Sequence, residues 1–97
     1  MSKFHITPRA ARDLAGIARW SLERWGAARM EIYMRGLDDR FRWLAQHPLS
    51  GRQRNDIAKE YRCFAEGLHL VFYIVQEDAI AIIGVPHQAM DVGGHFA

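Results

Sequence analysis

His87 and Asp91 stand four residues apart in VPHQAMD (85–91), close enough to meet across one helical turn. An imidazole oriented by a carboxylate is a usable acid–base pair. The neighbouring residue types do not extend it into a nucleophile–base constellation. No serine follows at a useful spacing, and the one cysteine, Cys63, stands in an apolar strand context. A histidine that pins the end of the chain accounts for the same residues without chemistry. The other histidines, His5, His47, His69 and His95, are scattered singly, with no metal-binding spacing such as H-E-x-x-H. No metal or cofactor is expected. Gly-rich phosphate loops are absent, and Asp38-Asp39 are adjacent rather than stacked one turn apart, a poor arrangement for paired carboxylates.

Basic residues are the other chemical resource. Net charge is +2, but residues 1–54 hold eleven Lys/Arg against five Asp/Glu, while residues 55–97 hold two against six. Eleven of the thirteen basic residues are arginine, whose planar fork suits carboxylates and phosphates and keeps its charge when partly buried. Arg52, Arg54 and Arg62, with Lys59, gather around one segment. They would form a basic edge attractive to a partner's carboxylates or to an RNA backbone. For any one of them, a solvated surface is the simpler reading.

These side chains must be carried by a small scaffold. A chain of 97 residues, nearly half of them hydrophobic, fits one domain with a thin-margined core. A single cysteine excludes an internal disulfide. No apolar stretch is long enough to cross a membrane or to serve as a signal peptide, so the cytoplasm is expected. KFHI (3–6) alternates and reads as a strand. Thr7-Pro8 reads as an N-cap with proline in the first helical turn. Leu14, Ile17, Ala18, Ser21 and Trp25 then recur at helical spacing up to Gly26, which suits a helix end. Met30, Tyr33, Met34, Leu37, Phe41 and Leu44 form a second stripe that Pro48 and Gly51 stop. So short a connection predicts an antiparallel helical hairpin.

Residues 49–60 are polar and read as a loop. Segments 61–67, 68–76 and 79–86 read as strands, the middle one apolar on both faces and hence covered on both sides. Glu77-Asp78 is a tight turn, and residues 87–97 form a short irregular or helical tail. The expected class is α+β in the order β-α-α-β-β-β, with the hairpin covering one face of a mostly antiparallel sheet. The tail or a partner chain would cover the other face.

Three apolar residues fall outside the stripes. Trp20 lies about 120° from the centre of the first stripe, and Ile32 and Trp43 lie roughly opposite the second, counting 100° per residue. They either fill the seam between the helices or form an exposed strip for a partner's helix.

The order and spacing of TPRAARDL, ARWSLERWG, LAQHPLSGR, YRCF, HLVFYIV and VPHQAMD resemble the ParE toxins of bacterial toxin–antitoxin pairs, within the wider RelE/ParE group. The resemblance runs from about residue 4 to residue 91. It implies one toxin domain over 1–97 that binds DNA gyrase without catalysis and is neutralised, in a hetero-oligomer, by a ParD-like antitoxin with an acidic C-terminal segment. On that reading Trp20, Ile32, Trp43, Arg52, Arg54 and Arg62 are the partner-binding candidates. No catalytic residue, no metal, no cofactor and no sequence-specific nucleic-acid contact is implied. The RelE-type relatives cut messenger RNA on the ribosome, using basic residues that include an arginine at the start of the central strand and often a C-terminal tyrosine. The corresponding positions here hold His69 and Gln88. The nuclease alternative therefore rests on Arg62, His69 and His87.

Overall fold

The computed structural model describes residues 3–96. Its elements are β1 (Lys3–Ile6), α1 (Pro8–Trp25), α2 (Ala27–Gln46), β2 (Arg52–Gln53), β3 (Arg62–Glu66), β4 (His69–Val75), β5 (Ala79–Gly84) and α3 (Val92–His95). The five strands form one sheet in the order β1-β5-β4-β3-β2. β2 through β5 pair antiparallel, and β1 returns beside β5 in parallel. The α+β class and the helical hairpin agree with expectation. The fifth strand does not: β2 lies inside the segment expected to be a loop. Two residues carry no detectable alternation, and only pairing with Cys63 and Arg62 makes them a strand.

Local signals set the helix limits. Thr7 caps α1 by accepting from Ala10 N–H, and its hydroxyl also donates to Ile82 O at 2.9 Å, which ties the helix start to β5. Gly26, at φ +87°, is the whole connection between α1 and α2, and an L side chain would be strained there. Ala10 and Ile17 of α1 and Leu37, Phe41 and Leu44 of α2 are buried with Val71 and Tyr73 of β4 and Ile80 and Ile82 of β5. Tyr73 is fully buried. Its hydroxyl accepts from Gly51 N–H at 2.8 Å and donates to Pro48 O at 2.7 Å, so the chain leaving α2 is pinned to the core.

The tail covers the other face of the central strand. Phe96 lies 5.0 Å from the fully buried Phe72 and 5.5 Å from Tyr61, ring centre to ring centre. Gly84 makes room for it, since a Cβ there would sit 2.7 Å from the Phe96 ring. Arg54 lays its guanidinium 5.6 Å from the Phe72 ring centre on the same side. No helix among the described residues is long and apolar enough to cross a membrane.

The register of β4 and β5 determines what sits at their end. The ladder shifts by one residue between Phe72 and Tyr73, an irregularity of the bulge type. Beyond β5 the chain stays alongside β4, with Leu70 N–H donating to Pro86 O and Gln88 N–H to Leu68 O. His87 thereby falls directly across from His69. Without the shift, His69 would face Pro86 instead, and the two imidazoles would not share a side of the sheet.

Candidate functional site

At this end of the sheet a notch of about 420 Å³ opens between α1, the start of β4 and the tail. One face of α1 supplies Arg12, Gly16 and Trp20, spaced four residues apart, with Asp13 and Ile17 beside them. His69 comes from β4, Val85 and Pro86 directly follow β5, and His87, Met90 and His95 come from the tail. Gly16 leaves the α1 wall flat, because a Cβ at this position would meet only open space. The Trp20 ring packs edge-on to Trp25 at 5.3 Å and to His87 at 6.3 Å, and Arg24 lies 5.2 Å from its centre.

The hydrogen bonds determine where the imidazole protons lie. His69 is almost fully buried, at 4% exposure. The Tyr33 hydroxyl accepts from Leu68 N–H at 2.9 Å and lies 2.6 Å from His69 Nδ1, against 3.5 Å from Glu66 O. Its single proton therefore goes to Nδ1, which leaves the His69 proton on Nε2. His87 Nδ1 accepts from Ala89 N–H at 3.0 Å, so its proton also lies on Nε2. The two rings stand edge to face, 5.3 Å apart. Burial first, and the neighbouring His87 second, lower the His69 pKa to about 4, although the Asp13 charge acts in the opposite direction. Burial raises the Tyr33 pKa, so its hydroxyl keeps its proton. Asp13 is committed elsewhere: Oδ2 accepts from Val85 N–H at 2.8 Å and meets His95 Nε2 at 2.9 Å.

This arrangement corrects two expectations. His87 and Asp91 form no pair: His87 lies in the bridge to β4, Asp91 precedes α3, and no hydrogen bond joins them. The carboxylate of the notch is Asp13, 74 positions earlier in the chain than His87. Nor does Arg62 join His69 and His87. It pairs with Tyr73 while His69 pairs with Glu66, four residues along the ladder or roughly 13 Å away. Its guanidinium donates to Gly51 O at 2.8 Å. The arginine at the notch is Arg12, whose four-residue spacing to Gly16 and Trp20 was visible but lay outside the apolar stripe.

The partner-binding candidates fall on separate patches. Trp20 walls the notch. Ile32 is 67% exposed beside Trp25, Arg29 and Tyr33. Trp43 is half-buried against Phe64 at 5.3 Å, stacked on His47 at 4.7 Å, with Arg40 above it. An aromatic contact between the two helices is made by Trp25 with Tyr33, at 5.4 Å. Arg52 is exposed on β2, whereas Arg54 is engaged with Asp56 at 2.9 Å. Among the described residues no group of three or more His, Cys, Asp or Glu is placed to hold a metal ion.

The chain is a small mixed sheet covered by a helical hairpin, with the notch at one end of the sheet. The chain belongs to the family described as ParE toxin of type II toxin-antitoxin system, parDE, whose profile matches residues 4–92. It is 35% identical to Toxin ParE1 of Caulobacter vibrioides over 96 residues, covering 99% of both chains. It is 34% identical to Toxin ParE1 of Mycobacterium tuberculosis over 92 residues, 94% of each. A solved structure titled as the chromosomal ParDE TA system from P. aeruginosa shares the fold, with a TM-score of 0.75 at 18% identity over 90% of this chain and 96% of that one.

Proposed function

We propose that this ParE-family toxin acts in the cytoplasm by binding DNA gyrase non-covalently, and that a ParD-like antitoxin neutralises it through an acidic C-terminal segment. The observation that carries binding over cleavage is the set of the imidazoles. Both Nδ1 atoms are occupied as acceptors, so in each neutral ring the proton sits on Nε2 and no ring nitrogen is left with a free lone pair. A general base must offer a lone pair, and a general acid must carry a removable imidazolium proton near the working pH. His69, with a pKa of about 4, is almost wholly neutral at pH 7. The fold is shared with a solved chromosomal ParDE toxin–antitoxin system of P. aeruginosa, which supports an antitoxin partner here. Exposed Ile32 and Arg52 are the partner-binding candidates least engaged within the chain. The test is purified toxin added to gyrase. Supercoiling should stop or cleaved DNA accumulate, and a ParD-like antitoxin should reverse it. Unchanged supercoiling at large molar excess would remove this reading.

A RelE-like ribosome-dependent ribonuclease is the second reading, favoured by the shared notch of His69, His87 and Arg12. It expects messenger RNA cleavage in a translating extract that disappears in His69→Ala and His87→Ala. Arg62→Ala should leave such cleavage intact, because that guanidinium is bound to the loop carbonyls.

A further inference from the structure

We propose that the notch is a binding site for a carboxylate carried on an apolar body. The inference starts from an imbalance of donors and acceptors. His69 Nε2–H and His87 Nε2–H have no protein acceptor among the described residues. Arg12 forms neither an ion pair nor a side-chain hydrogen bond among them. The one carboxylate in the lining, Asp13, already serves Val85 N–H and His95. The notch therefore offers the two imidazole N–H donors and the Arg12 cation, with the Asp13 carboxylate in its wall held by Val85 N–H and His95.

His69 sharpens the point. The residue is 4% exposed and lines the notch, with Nδ1 satisfied by the Tyr33 hydroxyl and Nε2 without an acceptor among the described residues. No fully buried side-chain polar atom among the described residues lacks a partner, so this nitrogen is reached by water, whose place a ligand oxygen would take. Ile17, Trp20, Val85 and Met90 supply apolar walls, and Gly16 keeps the space open. The volume of about 420 Å³ falls within the ~300–1,000 Å³ usual for small-ligand sites. One guanidinium, with the Asp13 carboxylate in the same lining to repel a second negative charge, beside apolar walls matches a monoanion with a hydrocarbon body better than a phosphate dianion. The carboxylate could arrive on a free small acid or on an acidic side chain adjoining an apolar residue of a peptide. The site is independent of the gyrase reading, and its failure would leave that reading standing.

The experiment is an NMR titration of the full chain, following the Trp20 indole and the histidine ring nitrogens. The probes are 3-phenylpropionate, its neutral amide, acetyl-Phe-Glu-amide and inorganic phosphate. 3-Phenylpropionate should shift Trp20 and His69 saturably, with the amide about tenfold weaker. Arg12→Met should abolish that difference while leaving the spectrum folded. Gly16→Leu, which fills the space and improves a helical position, should remove binding of both. Tighter binding of the peptide than of the free acid would assign the carboxylate to a partner chain; the reverse would assign it to a small molecule. Equal affinity of acid and amide, stronger competition by phosphate, binding that survives Gly16→Leu, or no saturable shift up to the solubility limit would each overturn the proposal.

Discussion

The buried imidazole of His69 makes folding stability depend on pH in a calculable way. In the folded chain its pKa is lowered from 6.5 to about 4; in the unfolded chain it returns to the ordinary histidine value. Between these values the unfolded state binds more protons, so stability rises with pH. The contribution is fully present above pH 6.5 and is lost as the pH falls through 6.5 toward 4. With a tenfold change in equilibrium per 1.4 kcal/mol, the loss is about 2 kcal/mol at pH 5 and about 3 kcal/mol at pH 4. The perturbation is His69→Gln, which keeps an acceptor for the Tyr33 hydroxyl and removes the titration. Urea unfolding of both proteins at pH 7, 5 and 4 gives the difference, in which the carboxylates and other histidines largely cancel. Wild type should lose about 2 kcal/mol more than the variant between pH 7 and pH 5. Parallel pH dependences would refute the buried neutral ring, and with it the assignment of a proton to Nε2.

Two further outcomes test the scaffold that holds the notch. Tyr73→Phe should cost about 1–3 kcal/mol in urea unfolding, because it leaves Gly51 N–H and Pro48 O without their fully buried partner. Phe96→Ala should cost about 2 kcal/mol, less than a fully buried aromatic because Phe96 is only half-buried. It should also expose Phe72, read as faster hydrogen exchange in β4 and β5.

Much of the architecture was legible along the chain because it depends on neighbours a few residues apart. Thr7-Pro8 and Gly26 mark the helix limits through capping and backbone conformation. The doubly apolar run at 68–76 announces a strand covered on both faces, and the structure supplies the tail as the second cover. β2 was not legible, since two residues have no period to detect. The exact seat of Trp20 was not legible either. Helical counting put it off the core stripe, but that count gives a direction and not the neighbour found there.

Sequence alone determined the family, the order of the elements apart from β2, and the identity of the groups able to donate, accept or carry charge. These follow from local chemistry and from the spacing of residue types. The notch itself depended on folding. A one-residue register shift in β4–β5 brings His87 opposite His69, and Asp13 meets His95 across 82 positions of chain. Contacts of that separation are set by how strands slide and where a tail docks, and periodicity within a segment carries no information about either.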